Sequence, residues 1–165
     1  MSIDKYMVFS DEIESMLPYG KDFIFIDSVE IINSKRAIGY KTIREDEFWV
    51  KDHFPSKPMY PAAFMLESLG QTAGVLMMKT TGLKDKEENI RAFGGATEIK
   101  HMKFYRAIHP HQEIICDVEI VRGSLRHPLW TIQGTITVDD NICCRATVNA
   151  AYFPQKNCKK TTNTG

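Results

Sequence analysis

Pro61-Ala62-Ala63-Phe64-Met65-Leu66-Glu67-Ser68-Leu69-Gly70-Gln71-Thr72-Ala73-Gly74-Val75-Leu76-Met77-Met78 is the stretch that decides the fold. Proline suits the first position of a helix, where its missing N–H costs nothing. Apolar residues then fall on nearly every face, so the spacing predicts a helix over about 61–78 that is buried, not amphipathic. A helix of about 18 residues is barely long enough to span a bilayer. Glu67 and Gln71 in its middle, with no second such segment elsewhere, argue against a membrane. Such a helix needs cover on every side. A curved sheet supplies much of it, and a second copy of the chain can supply the rest.

The sheet is legible downstream. Ile114, Cys116, Val118 and Ile120 alternate with Ile115, Asp117, Glu119 and Val121; Trp130, Ile132, Gly134, Ile136 and Val138 alternate with Thr131, Gln133, Thr135 and Thr137. Cys144, Ala146, Val148, Ala150 and Tyr152 form a third set. This is the pattern of antiparallel strands with one buried face, and Asp139-Asp140-Asn141 is the turn between the last two. Upstream, Phe23–Ile32 and Ala37–Ile43 read as two further strands. Before them Ser10-Asp11-Glu12-Ile13 fits a helix start, with Ser10 as the N-cap, and Leu17-Pro18-Tyr19-Gly20 ends that segment. Residues 83–91 read as a solvated charged connection. The whole is an α+β class domain over 1–153, followed by a flexible polar tail over 154–165.

Composition narrows the function. The chain has 165 residues, 43% hydrophobic and 25% charged, which is one globular domain and excludes a disordered or collagen-like chain. Lys plus Arg and Asp plus Glu are both 21, so the basic excess of a general nucleic-acid binder is missing. The four cysteines form no C-x-x-C pair. They read as buried thiols of a reducing compartment, not as a metal site. No secretion signal is visible at the N-terminus, so the expected location is cytoplasmic. No metal and no cofactor is implied.

The chemistry sits at the start of the long helix. Pro55, Pro58 and Pro61 stiffen the loop before it and exclude a helix or central strand there. That loop carries His53, a side chain that titrates near neutrality and is the commonest general acid/base. The helix carries Glu67, a carboxyl whose charged form is disfavoured by apolar surroundings. A base and an acid with separated proton affinities suit an elimination or a hydration. Glu67 can equally be read as half of a structural ion pair, for example with Arg106. Gln71 lies one turn beyond Glu67, where it either holds the carboxylate or satisfies a neighbouring backbone group, and it also counts among the candidates for binding the substrate. The free N–H groups at the helix start suit a carbonyl oxygen that gains negative charge.

His53-Phe54-Pro55, then Pro58, Pro61, Glu67 and Gln71, resembles the signature of the 3-hydroxyacyl-[acyl carrier protein] dehydratases. The glutamate points to the FabZ-like branch, since the FabA branch has aspartate there. Leu17-Pro18 with Phe23-Ile24-Phe25-Ile26-Asp27-Ser28-Val29, and Lys103-Phe104-Tyr105-Arg106 with Pro110, extend the resemblance over about 17–153. It implies a hotdog fold, in which an antiparallel β-sheet wraps the central helix, and a homodimer, with a hexamer built as a trimer of dimers as the larger alternative. It implies a lyase of fatty acid biosynthesis and lipid metabolism that turns a 3-hydroxyacyl thioester into the trans-2-enoyl thioester. His53 of one subunit takes the α-proton, and Glu67 of the other protonates the departing hydroxyl. The Ala62 N–H binds the thioester carbonyl. Phe64, Leu66 and Phe104 are candidates for the acyl tunnel, and equally for plain core. Acyl carrier protein is the implied partner, and Lys100, Lys103 and Arg106 are candidates for a basic entrance, or are ordinary exposed charges.

The chain departs from the pattern. Asp52, Ser56 and Ala62 stand where the family usually has glycine, and Tyr19-Gly20-Lys21-Asp22 replaces the family's His-Arg-Tyr-Pro. A glycine lost at a position of positive φ strains the loop. The departures suggest a divergent member serving a specialised acyl or polyene pathway. Two other readings compete: a hotdog acyl thioesterase, against which His53 counts, and a non-catalytic partner subunit of a heteromeric dehydratase, for which the lost glycines speak.

Overall fold

The computed structural model describes residues 5–81, 92–124 and 127–154. The expected connection over 83–91, and all of the expected tail except Pro154, lie outside the described residues. The elements run β1 (Tyr6–Phe9), α1 (Ser10–Met16), a 3-10 turn (Lys21–Phe23), β2 (Ser28–Asn33), β3 (Arg36–Thr42), α2 (Ala62–Thr81), β4 (Ala92–Phe104), β5 (Glu113–Ser124), β6 (His127–Val138) and β7 (Asn141–Pro154). The strands make one antiparallel sheet in the order β1-β2-β3-β5-β6-β7-β4. It wraps α2, and the pair is the hotdog fold.

Alternation sets which side of the sheet meets the helix. Cys116, Val118, Ile120, Trp130, Ile132, Ile136 and Cys144 are buried, as their two-residue period requires. Cys143 and Cys144, on opposite faces, are both buried as well, and burial drives the thiols of Cys116, Cys143 and Cys144 above the ordinary value. The helix comes close enough to the sheet that side chains are excluded at two points. A Cβ on Gly39 of β3 would lie 2.2 Å from Thr72 Oγ1, and one on Gly134 of β6 would lie 2.8 Å from Leu69 Cδ2.

The helix is 20 residues long. Met65, Ser68, Leu69, Gln71, Thr72, Ala73, Val75, Leu76 and Met78 are buried, with Ser68 and Thr72 bonded to carbonyls of the preceding turn. Its cover is incomplete within one chain. Ala62, Ala63 and Gly70 are exposed, and Leu66 and Glu67 between them are only half-buried. Among the described residues no helix is long and apolar enough to cross a membrane.

The fold differs from expectation in three ways. Strands β1 and β4 were not anticipated, and they form its two edges. The expected strand over Phe23–Ile32 begins only at Ser28. Ahead of it the backbone N–H of Phe25 goes to the Gln71 side chain and that of Asp27 to the Tyr40 carbonyl, so the segment is extended but outside the ladder. Finally, Ser10 is not the N-cap. Phe9, the last residue of β1, takes that place without a side-chain cap, because the helix follows the strand with no loop between them. Asp11 and Glu12 do occupy the first turn, where the helix dipole favours them.

Candidate active site

The loop before α2 is built to hold one imidazole. Lys41 on β3 and Glu47 pair at 2.9 Å with side chains only 3% and 7% exposed. Glu47 also accepts from Trp49 Nε1 at 2.8 Å and from the Arg44 backbone N–H at 3.1 Å. The Trp49 carbonyl in turn accepts from the N–H groups of Asp52 and His53. A buried ion pair therefore fixes the turn that presents the histidine. Farther on, Tyr60 N–H bonds the Ile108 carbonyl and His109 Nδ1 donates to the Pro58 carbonyl at 2.7 Å, tying the loop to the segment after β4.

His53 closes a ring with Met59. Its carbonyl accepts the Met59 N–H at 2.8 Å, and its Nδ1 lies 2.7 Å from the Met59 carbonyl oxygen. A carbonyl only accepts, so Nδ1 carries the proton and the lone pair of the neutral ring is on Nε2. The His53–Phe54 peptide is cis, and the two rings stack with centroids 4.3 Å apart. The glycines lost from this loop are not missed by its backbone. The described non-glycine residues of positive φ are His111, Asp139 and Asp140, and neither Asp52, Ser56 nor Ala62 is among them.

Glu67 lies on the second turn of α2. Gln71, 1% exposed, places one amide N–H on Glu67 Oε1 at 3.0 Å and the other on the Phe23 carbonyl at 2.9 Å. Its oxygen accepts the Phe25 N–H at 2.8 Å. The two readings of Gln71 from sequence are thus both realised: it holds the carboxylate and satisfies backbone groups. The amide is fully engaged with the protein. Burial, then the negative charge of nearby Glu67, pushes the half-buried Tyr19 phenol up to about 12. Among the described residues Glu67 has no salt-bridge partner, so the structural pair with Arg106 does not form within the chain.

The other candidates are spread out. Ala62 opens α2 and is exposed, and the carbonyl of Pro61 before it accepts from Phe64 and Met65. The first-turn N–H groups of a helix have no partner inside it. Phe64 stacks on Phe25 at 4.5 Å and lies 5.7 Å from Phe48. Phe104, at the end of β4, is 46% exposed. Lys100, Lys103 and Arg106 are exposed, and Lys103 Nζ sits 5.1 Å from the Tyr105 ring centre. A cleft of about 720 Å³ is lined by Phe23, Phe25, Lys41, Arg44 and Phe48 among others, but by neither His53 nor Glu67. Among the described residues no hydrogen bond joins His53 to Glu67 inside one chain.

Sequence reasoning missed the Met59 carbonyl that holds His53, which no side-chain pattern reports.

Sheet and helix together define a hotdog protein, with His53 in the loop before its central helix and Glu67 on that helix's second turn. A model of the FabA-like domain matches residues 17–147, and the chain belongs to that family. Among curated relatives, it is 29% identical to the 3-hydroxyacyl-[acyl-carrier-protein] dehydratase FabZ of Coxiella burnetii over 136 residues, covering 82% of this chain and 92% of that one. It is 30% identical to the FabZ of a Geobacillus species over 147 residues, covering 88% and 96%. Among solved structures it resembles the dehydratase heterocomplex ApeI:P from Xenorhabdus doucetiae, with TM-score 0.69 at 13% identity over 89% of this chain and 92% of that one. A hypothetical thioesterase with coenzyme A from Streptococcus pneumoniae is more distant, with TM-score 0.51 at 10% identity over 74% and 84%.

Proposed function

We infer that this chain is a 3-hydroxyacyl-[acyl-carrier-protein] dehydratase, a hydro-lyase of FabZ type that makes the trans-2-enoyl thioester. Membership of the FabA-like family and the FabZ relatives support that activity. The observation that carries the mechanism is the His53–Met59 ring, which leaves a lone pair on Nε2. His53 Nε2 takes a proton from C2 of the acyl chain, the C–H electrons form the C2=C3 bond, and the C3–O bond breaks. Glu67 gives its proton to the departing hydroxyl, which leaves as water. The Ala62 N–H steadies the charge that grows on the thioester oxygen. We assign Gln71 to the positioning of Glu67, since its amide has no hydrogen left for a substrate.

The two reacting groups come from different copies of the chain in this reading. Support comes from the bare strip of α2 at Ala62, Ala63, Glu67 and Gly70, and from β4, a 13-residue strand at the sheet edge with Ile99 50% exposed. A homodimer joined along β4 covers both. The acyl chain then runs beside Phe64, with Phe104 from the end of β4, and Lys100, Lys103 and Arg106 face an acidic acyl carrier protein. We take its setting to be the cytoplasm.

The test is dehydration of a 3-hydroxybutyryl thioester on acyl carrier protein, read as enoyl product. Wild type forms it, and His53→Ala and Glu67→Ala each lose about 10²–10⁴ in kcat. Mixing the two inactive variants restores up to one working site per mixed dimer. Free thiol without enoyl product from wild type would overturn the reading in favour of a thioesterase.

A further inference from the structure

The loop that carries His53 is held at its stem. Phe54, Pro55, Ser56 and Lys57 at its tip are exposed, whereas His53, Pro58 and Met59 are half-buried and Tyr60 is buried. Both bonds that His53 makes across the stem go to Met59, one through its carbonyl and one through its ring. The setting of the imidazole therefore depends on what fixes Met59. A peptide unit is planar, so a bond at one end orients the group at the other. The Pro58–Met59 unit gives its N–H to the His53 carbonyl at 2.8 Å, and its oxygen accepts from His109 Nδ1 at 2.7 Å. The Met59–Tyr60 unit places its oxygen 2.7 Å from His53 Nδ1, and its N–H bonds the Ile108 carbonyl at 2.7 Å. Each plane that meets His53 is thus fixed from behind by the same pair, Ile108 and His109. That pair is itself anchored. Ile108 is fully buried, the His109 N–H bonds Gln112 Oε1 at 2.7 Å, and the Gln112 carbonyl accepts the Ile43 N–H, just after β3, at 2.9 Å. Ile108 acts through its main chain, which any residue supplies. His109 acts through its side chain, and since a carbonyl only accepts, its Nδ1 carries a proton.

We propose that His109 is a positioning residue for the His53 of its own chain. By pinning the Pro58–Met59 peptide it keeps the proton of the His53 ring on Nδ1 and the lone pair on Nε2. As a role in catalysis this rests on the dehydratase reading; the tautomer itself does not. A His53 that loses its grip on Met59 samples the other tautomer, in which Nε2 bears the proton and accepts none. His109→Phe keeps a flat ring and removes the N–H. It lowers kcat on the order of tenfold, the share of one aligned hydrogen bond, and leaves KM within about twofold. His109→Asn puts an amide N–H where Nδ1 stood and returns kcat to within about threefold of wild type.

The experiment reads the ring and the reaction on the full chain. Long-range proton–nitrogen correlation spectra of isotope-labelled imidazoles tell a protonated ring nitrogen from a bare one. They are recorded at about pH 8.5, where an ordinary imidazole is neutral. His53→Ala identifies the His53 signals among the five histidines. Wild type shows His53 as the Nδ1–H tautomer, His109→Phe shows a mixture, and His109→Asn shows Nδ1–H again. Dehydration of a 3-hydroxybutyryl thioester on acyl carrier protein follows the same order in kcat. A merely structural His109 would lower the melting temperature without altering the His53 tautomer of the folded chain. An unchanged tautomer in His109→Phe, a loss confined to KM, or a loss that asparagine does not recover would overturn the proposal. His109→Leu removes the same N–H without a ring, and stands in if His109→Phe does not fold. A wild type without dehydratase activity refutes that activity instead, and the positioning of the ring is then judged by the spectra alone.

Discussion

Replacing Gln71 with methionine separates the structural share of this residue from its share in the chemistry. Methionine matches glutamine in length and volume, so no cavity opens and no atom is crowded. Three hydrogen bonds go. The Phe25 N–H belongs to a residue 2% exposed and is left without an acceptor in a dry place, which costs about 1–3 kcal/mol. The Phe23 carbonyl and Glu67 lie on partly exposed residues, where water substitutes, so those two bonds together cost only about 0.5–1 kcal/mol. The net loss is about 1.5–4 kcal/mol. Urea denaturation of Gln71→Met should show that loss as a lower midpoint at unchanged slope. Melting should fall by roughly 5–10 °C for a chain of this size. In the dehydration assay kcat should fall on the order of tenfold, because Glu67 loses a donor from its oxygen. A stability change under about 0.5 kcal/mol would refute the claim that Gln71 anchors the 23–25 segment. Full activity beside a clear loss of stability would refute the claim that it positions the acid.

Three further perturbations test other parts of the structure. Gly39→Ala forces a methyl group to 2.2 Å from Thr72 Oγ1. It should cost about 1–3 kcal/mol by calorimetry as α2 is pushed off the sheet, and a neutral result would mean that the approach is looser than described. Lys41→Met strips the cation from a Glu47 that is 7% exposed. It should cost about 3–5 kcal/mol in urea unfolding, with activity falling too because Glu47 sets the turn before His53. At high pH the Tyr19 phenol, about 12 in the folded chain against an ordinary 10.0, keeps its proton after the unfolded chain has released it. The stability this represents is whole below pH 10 and drains away as pH climbs from 10 to 12. Melting curves between pH 9 and 12 should therefore fall more steeply for wild type than for Tyr19→Phe, and parallel curves would contradict the raised titration of the half-buried phenol.

What the sequence disclosed follows from where physical constraint is concentrated. α2 was legible because apolar residues over 61–78 fall on nearly every face of a helix. The β5–β7 meander was legible because one face of each strand is buried, and the turn at Asp139-Asp140 because two consecutive residues there take positive φ. β4 was not legible. It is an edge strand with two irregularities in its pairing with β7, and Ala96 to His101 are exposed without alternation, so no two-residue period survives. β1 is too short at four residues to show a period. Phe23–Asp27 misled in the other direction: its aromatic and β-branched residues look like a strand, but the N–H groups of Phe23 and Ile24 close a 3-10 turn and those of Phe25 and Asp27 are drawn off by Gln71 and Tyr40. At the site, His53 and Glu67 were visible through residue chemistry and spacing. The Met59 carbonyl that holds His53 was not visible, because a main-chain acceptor leaves no mark on the side-chain pattern.

The grip of Gln71 on the 23–25 segment has an evolutionary side. It reads the main chain alone, one carbonyl at Phe23 and one N–H at Phe25. Those atoms are present whatever residues stand at the two positions, proline at 25 excepted. The side chain of Phe23 is 44% exposed and borders the cleft. Position 23 can therefore drift, reshaping that wall, while Glu67 is held by atoms that point substitutions do not remove. Selection on the shape of the cleft and selection on the setting of the carboxylate act there on separate parts of the same residue.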